Sequence, residues 1–283
     1  MLIGRNNALF TQFTKKEVTM FVIDKIKKDM IAELVSQEQS VLLTGATGCG
    51  KTTLCKEIAN ELGLNCVIVN MGSTQDARTT LIGYHTLENG NTSFEKSQFI
   101  NAVQQKDTLI ILDELSRASD DAYNIIFPLL DFRREIHIEE TGETIKVADG
   151  VKFISTANVG LEYSSARSID RALQDRFMIF NIPYMTGKEL KGYIKDTQGK
   201  EIADSMKNLC DVYDYSHKQY EASRISARMS PRMILNCCSL ISKFSDAEVM
   251  NNVLLSMFEQ DSSSITSDAN IIREFGDSLG MFN

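Results

Sequence analysis

The chain has 283 residues, 43% of them hydrophobic and 24% charged, which is typical of a globular protein and enough for one large α/β domain and a smaller one. The formal net charge of −8 at pH 7 counts against a surface that binds nucleic acid over its whole extent, although it is compatible with a local basic groove. The six cysteines form no CxxC pair, which argues against a disulfide framework and fits a reducing compartment.

The start of the chain lacks the charged, apolar and cleavage regions of a signal peptide. No apolar run approaches the roughly 18–20 residues that a helix needs to cross a bilayer. We therefore expect a cytoplasmic protein with no membrane partner.

Apolar runs alternate with helix-like segments along the first two thirds of the chain. A helix-like alternation covers residues 14–36. Buried strands are predicted at 41–45, 65–72, 108–114, 151–158 and 177–183, and helices at 51–63, 93–105 and 119–134. Because strand–helix alternation of this kind gives a parallel sheet covered by helices on both faces, the expected fold class is α/β.

Two further features complete the predicted domain organisation. Residues 135–147 alternate apolar and polar side chains around Thr141 and Gly142, which predicts a hairpin inserted before the fourth strand. After Pro183 the strand signals stop, and 186–258 is typical of several amphipathic helices. We therefore expect a large α/β domain over 1–184 and a small helical domain over 185–258, followed by a Ser-rich linker (259–268) and tail that make up 259–283.

A phosphate-binding loop joins the first predicted strand to the helix that follows it. Gly45 to Thr52 fits the pattern GxxxxGK[ST], whose glycines let backbone N–H groups curl around phosphate oxygens at a helix N-terminus. In this pattern Lys51 reaches the β- and γ-phosphates, and the Thr52 hydroxyl ligates Mg²⁺. The predicted cofactor-binding residues are Gly45, Ala46, Thr47, Gly48, Cys49, Gly50, Lys51, Thr52 and Thr53.

Two carboxylates end the third predicted strand, at the edge of the sheet where open α/β folds bind ligands. Asp113 is expected to hold Mg²⁺ through water, and Glu114 to orient and polarise the attacking water. A carboxylate directly after the metal-binding Asp indicates that the protein hydrolyses its nucleotide and does not merely bind it. The sequence contains no NKxD guanine-specificity motif, so ATP is favoured over GTP.

Four other polar residues are candidates for contacts with the γ-phosphate. Asn158 ends the fourth predicted strand, where its amide could bond the water and the phosphate. Arg171 and Arg176 precede the last strand and could reach the nucleotide of a neighbouring subunit, as an arginine finger does. Arg232 follows Ser230 and Pro231 at the start of a helix in the small domain.

In this order the motifs resemble those of AAA+ ATPases, and more finely those of the MoxR branch with its cobaltochelatase-ATPase, dynein and midasin relatives. The resemblance covers roughly residues 40–240. The matching stretches are GATGCGKTTL, LIGYHTLENGNTSFEKSQFINAVQ, LIILDELSRAS, 135–147, FISTANVG, RALQDRF and MSPRMIL. It also implies a hairpin insert at Glu88–Phe94, with its turn at Asn89-Gly90.

The resemblance assigns a role to each candidate. Asn158 corresponds to sensor 1, Arg176 to the arginine finger, with Arg171 as the alternative, and Arg232 to sensor 2 on a lid domain. It implies ATP and Mg²⁺ as cofactors. The chain departs from the family pattern at Ser116-Arg117, where Asn often precedes the arginine.

The resemblance implies a homo-oligomeric ring, by expectation a hexamer. The expected function of this ring is to use ATP to remodel or activate a protein client. A von Willebrand A-type partner is implied by the resemblance alone. A nucleic-acid motor or loader is an alternative that DNA-stimulated hydrolysis would support. A nucleotide-gated scaffold with little turnover is a third possibility, which Glu114 opposes.

Overall fold

The computed structural model describes residues 10–12 by their backbone, and residues 23–73, 76–88, 91–158, 175–258 and 267–282. These residues form two compact units. The first contains 10–12, 23–46 and 50–182, and the second contains 47–49 and the chain from Pro183 onward.

The first unit is built on a six-stranded sheet with two separate hairpins. The strands are β1 Phe10–Gln12, β2 Val41–Gly45, β3 Asn65–Asn70, β4 Gly83–Glu88, β5 Asn91–Lys96, β6 Thr108–Asp113, β7 Glu135–Ile138, β8 Glu143–Lys146, β9 Lys152–Asn158 and β10 Met178–Asn181. The sheet order is β1-β3-β6-β9-β2-β10, with all pairs parallel except β1 with β3. The α/β class is therefore confirmed, and β1 is an edge strand that the sequence did not indicate.

Helices of the first unit follow strands of this sheet or its hairpins. They are α1 Lys25–Ser36, α2 Lys51–Glu61, α3 Ala77–Leu81, α4 Gln98–Val103 and α5 Asp120–Leu130, with 3₁₀ turns at Met71–Ser73 and Leu115–Arg117. The predicted helix over 14–36 begins at Lys25, because Asp24 accepts a hydrogen bond from the Ile26 N–H as its N-cap. Residues 14–22 lie outside the described part of the chain.

The centre of the sheet supplies much of the core. Leu109 to Leu112 in β6 are all fully buried, as are Val41 and Leu43 in β2. Each such side chain contributes roughly 1.5–3 kcal/mol of transfer free energy. The strands that carry the predicted site are therefore held rigidly at their centres.

The predicted helix over 93–105 is wrong at its start. Residues 91–96 form β5, which pairs with β4 as the implied hairpin insert. Gly83 begins this hairpin with φ of 152°, and a Cβ there would lie 2.2 Å from the Glu95 carbonyl oxygen, so the close approach requires glycine. The helix begins only at Gln98, after the Ser97 hydroxyl caps the Ile100 N–H. The turn at 89–90 lies outside the described residues.

Helix α5 ends four residues before its predicted end at 134. Pro128 lies in its last turn and lacks an N–H for the helical ladder. Asp131 then adopts an extended conformation, with ψ of −177°, and accepts a hydrogen bond from the Arg133 N–H. The hairpin that follows is confirmed, since β7 and β8 pair on either side of Thr141 and Gly142.

Smaller differences concern the ends of three other predicted segments. Strand β3 ends at Asn70, because Met71–Ser73 forms a 3₁₀ turn. Helix α2 ends at Glu61. The last residue of the predicted linker 259–268, Asp268, is the first residue of a helix. Its carboxylate accepts hydrogen bonds from the Ser226 N–H and hydroxyl. Residues 259–266 lie outside the described part of the chain.

The second unit is helical in its described residues. Its helices are α6 Gly187–Gln198, α7 Lys200–Ser205, α8 Lys207–Glu221, α9 Pro231–Ile241, α10 Asp246–Val249 and α11 Asp268–Ser278, with a π turn at Met250–Leu254 and a 3₁₀ turn at Leu255–Met257. Tyr213 of α8 is fully buried and its hydroxyl donates to the Met185 carbonyl at 2.7 Å. Helix α11 packs on α8, where Phe275 stacks on Tyr215 with ring centroids 4.0 Å apart.

Candidate active site

Three parallel strands bring the predicted site residues to one edge of the sheet. In the β2–β9 ladder Gly45 pairs with Asn158, and in the β6–β9 ladder Leu112 pairs with Ser155. Asp113 therefore ends β6 at the same carboxyl edge at which Gly45 ends β2. The parallel topology alone accounts for this proximity.

The phosphate-binding loop runs from this edge into α2. Gly50 precedes the helix with φ of 94° and ψ of 14°, in the left-handed region that glycine occupies without strain. Because Gly50 has no side chain, it offers no side-chain cap to the N–H groups of the first turn. A helix N-terminus of this kind favours an anion through its N–H groups and its dipole.

Lys51 is folded into the loop and is only 7% exposed. Its ammonium donates to the carbonyl oxygens of Gly45 at 3.0 Å and Ala46 at 2.8 Å, and to Asn158 Oδ1 at 2.8 Å. The structure thus joins the predicted phosphate-binding lysine directly to the predicted γ-phosphate sensor.

A network of hydroxyl and carboxylate oxygens lies beside Lys51. The Thr52 hydroxyl donates to Asp113 Oδ1 at 2.9 Å, and the Thr156 hydroxyl donates to the same oxygen at 2.6 Å. Mg²⁺ prefers oxygen ligands and commonly binds one or two protein groups, completing its octahedron with water and phosphate oxygens. Thr52 and Asp113 therefore fit the chemistry of a Mg²⁺ site.

Glu114 follows Asp113 in an unusual backbone conformation. Its φ of 57° and ψ of 39° are left-handed, and its N–H donates to Thr156 Oγ1 at 3.1 Å. Its carboxylate forms an ion pair with Arg117 at 3.3 Å, and a Cβ added at Gly72 would lie 2.7 Å from its Oε2. Because both partners of the ion pair are partly exposed, it is a weak contact.

Arg176 lies near the amino ends of the parallel strands, opposite the carboxyl edge that carries the phosphate-binding loop. It precedes β10, in which Met178 pairs with Val41 at the start of β2, whereas the phosphate-binding loop follows the end of β2. The four residue steps from Val41 to Gly45 span about 13 Å. The Arg176 guanidinium lies 4.5 Å from the centroid of the Phe127 ring on α5, a cation–π contact that fixes its direction. Arg171 lies outside the described residues.

Arg232 belongs to the second unit and is exposed at the start of α9. Ser230 caps this helix and Pro231 is its first residue. Within the same unit, a Cβ added at Gly48 would lie 3.2 Å from Ser230 Oγ and 3.4 Å from Arg232 Cβ. Since Gly48 also has φ of 78°, a larger residue there would be both strained and crowded.

The sequence did not single out Thr156 or Arg117 for contacts with the carboxylate pair. The position of Thr156, two residues before the end of β9 and next to Asp113 across the ladder, is the signal that could have identified it. Arg117 was noted only as part of a departure from the family pattern, and its spacing of three from Glu114 within one turn predicts a contact.

Within the residues that the structure describes, no group of three or more His, Cys, Asp or Glu side chains is placed to hold a metal ion. Among these residues, no helix has the length and apolar character that crossing a membrane requires. The six cysteines are buried free thiols.

Comparison with known proteins finds a matching family model and relatives of similar length. Residues 40–177 match the family model of the AAA domain (dynein-related subfamily). The chain is 28% identical over 250 residues to BssE of Thauera aromatica, described as a candidate chaperone, covering 84% of this chain and 85% of that protein. It is 27% identical over 236 residues to an uncharacterised protein of Staphylococcus aureus strain USA300, covering 81% of this chain and 88% of the other.

A solved structure extends the likeness of the fold over nearly the whole chain. The crystal structure of NtrX from Brucella abortus in complex with ADP superposes with a TM-score of 0.54 at 14% identity, covering 92% of this chain and 67% of that one. At this identity the likeness concerns the fold alone. Residues 40–177 are thus similar to the AAA domain of the dynein-related subfamily.

Proposed function

We propose that the chain is a Mg²⁺-dependent, MoxR-like ATPase that hydrolyses ATP at the interfaces between identical subunits of a ring, by expectation a hexamer. One subunit would supply the phosphate-binding loop and the polar side chains around it, namely Lys51, Thr52, Asp113, Glu114, Asn158 and Arg232. The neighbouring subunit would supply Arg176.

The position of Arg176 carries the proposal that the site is shared. The strand register separates Arg176 from the phosphate-binding loop of its own chain by the length of β2, and Phe127 holds its guanidinium in place. An arginine finger stabilises the charge that spreads over the transferring phosphoryl group. Such a residue can act on a neighbour's nucleotide without any rearrangement of its own sheet.

The other residues have roles that follow from their contacts. Lys51 would exchange its bonds to the Gly45 and Ala46 carbonyl oxygens for phosphate oxygens, which are stronger acceptors because they are charged. Asn158, already within 2.8 Å of the Lys51 ammonium, would contact the γ-phosphate. Glu114 would leave Arg117 and orient the attacking water.

Thr52 and Asp113 would hold Mg²⁺, which would supply neutralisation of the negative charge on the phosphates during hydrolysis. The chain's own residues would orient its ligands, since the Thr52 hydroxyl already lies 2.9 Å from Asp113 Oδ1. In this arrangement the Thr52 hydroxyl would ligate the ion and Asp113 would hold it through water.

The work done with ATP would be the remodelling or activation of a protein client in the cytoplasm. The likeness to a candidate chaperone over 84% of the chain supports this kind of client. A von Willebrand A-type partner is proposed on the family resemblance alone.

We expect the specific rate of ATP hydrolysis, per chain, to rise with protein concentration and reach a plateau when rings are complete. Phosphate release is measured over a hundredfold range of protein concentration, with sedimentation velocity on the same samples. Excess EDTA should abolish the activity, since the site needs Mg²⁺.

A flat specific rate from monomeric protein would contradict the shared site. Nucleotide binding with no hydrolysis at any concentration would instead indicate a nucleotide-gated scaffold. Strong stimulation by DNA that weakens with salt would indicate a nucleic-acid motor.

A further inference from the structure

The Thr156 hydroxyl links the two carboxylate residues of the site. It donates to Asp113 Oδ1 at 2.6 Å and accepts from the Glu114 N–H at 3.1 Å. The side chain is 2% exposed, so water does not compete for these bonds. One hydroxyl on β9 thus fixes a side chain and a backbone group at the end of β6.

The backbone of Glu114 needs such a restraint. A left-handed conformation costs a residue with a Cβ roughly 1–2 kcal/mol. The bond from the Glu114 N–H to Thr156 holds the peptide group that leads into this left-handed residue and compensates part of the cost. Loss of the hydroxyl would let the chain relax at Glu114 and move its carboxylate away from the γ-phosphate.

The bond to Asp113 has a second consequence. Thr52 and Thr156 both donate to Oδ1, so the Asp113 carboxylate is oriented from two sides. Partners that orient a metal ligand in this way typically change metal affinity or activity about 10–100-fold when they are removed.

We propose that Thr156 is a positioning residue for catalysis, holding Asp113 toward Mg²⁺ and Glu114 toward the attacking water. It acts through these two residues and does not itself contact the nucleotide. The inference rests on the proposed ATPase function.

The test compares Thr156→Val, which keeps the shape but loses the hydroxyl, with Thr156→Ser, which keeps the hydroxyl. We expect Thr156→Val to lower the maximal rate of hydrolysis about 10–100-fold and to raise the half-saturating Mg²⁺ concentration. Metal-free binding of a fluorescent ADP should change by less than about threefold, and Thr156→Ser should restore most of the rate.

A matched control lies one residue away. Ser155 is fully buried, and its hydroxyl has no hydrogen-bond partner among the described residues. Ser155→Ala removes a buried hydroxyl from the same strand, and it should leave both the rate and the Mg²⁺ dependence near those of the wild type.

Three results would overturn the proposal: a Thr156→Val rate within about threefold of the wild type at limiting and saturating Mg²⁺, a Thr156→Ser variant as impaired as the valine variant, or an equal loss in Ser155→Ala. If Thr156→Val does not fold, Thr156→Ala is measured in its place. If the wild type hydrolyses no ATP, the proposed function fails, and the gain in nucleotide affinity on adding Mg²⁺ still tests Thr156 through Asp113.

Discussion

Replacement of Glu114 by Gln should lower the rate of ATP hydrolysis about 10²–10⁴-fold, the usual contribution of a positioned general base. The amide keeps the size of the side chain but loses the charge that polarises a water. Nucleotide binding should persist, because the contacts of Lys51 and Thr52 are made elsewhere in the site. Phosphate release measures the first effect, and titration with fluorescent ATP measures the second.

The same change at Glu33, an exposed residue of α1, is a suitable control and should leave the rate unchanged. The ion pair of Glu114 with Arg117 is the reason for measuring stability as well. Because that pair is partly exposed, its loss should cost at most about 1 kcal/mol. A rate equal to that of the wild type would exclude Glu114 as the residue that activates water.

Sequence patterns predicted the positions of the site residues because parallel topology determines them. Strand ends at Gly45, Asp113 and Asn158 can be recognised from apolar runs that stop at glycine or at polar residues, and parallel strands bring such ends to one edge. These predictions need no knowledge of side-chain direction. The three strand ends therefore lie at one edge as expected, even though the exact ends of several other elements differ from the prediction.

The sequence patterns did not predict two features that tertiary contacts determine. The end of β5, residues 93–96, looked helical, but a pairing with β4 that needs glycine at position 83 makes it a strand. The Glu114 N–H donates to a hydroxyl 42 residues away in the sequence, that of Thr156. Local propensity contains no information on either contact, since each joins segments that meet only in the folded sheet.

Replacement of Arg176 by Ala should lower the rate of hydrolysis about 10³–10⁵-fold while rings still form. Lysine should rescue little, because it lacks the planar fork that the guanidinium offers to a phosphoryl group. Removal of the contact with Phe127 also affects stability, so thermal unfolding is measured beside activity. Arg273→Ala, at an exposed position on α11, is the control. If Arg171→Ala abolishes activity and Arg176→Ala does not, the finger is Arg171.

Mixing two inactive variants distinguishes a shared site from one contained in a single chain. A subunit with Arg176→Ala retains Glu114, and a subunit with Glu114→Gln retains Arg176. In a mixed ring some interfaces would join the intact Glu114 of the first to the intact Arg176 of the second, so activity should reappear on mixing and fall again as either variant comes to dominate. A mixture as inactive as its components, in rings shown to exchange subunits, would mean that Arg176 acts within its own chain. The sheet register, which separates Arg176 from its own phosphate-binding loop, is the reason to expect recovery.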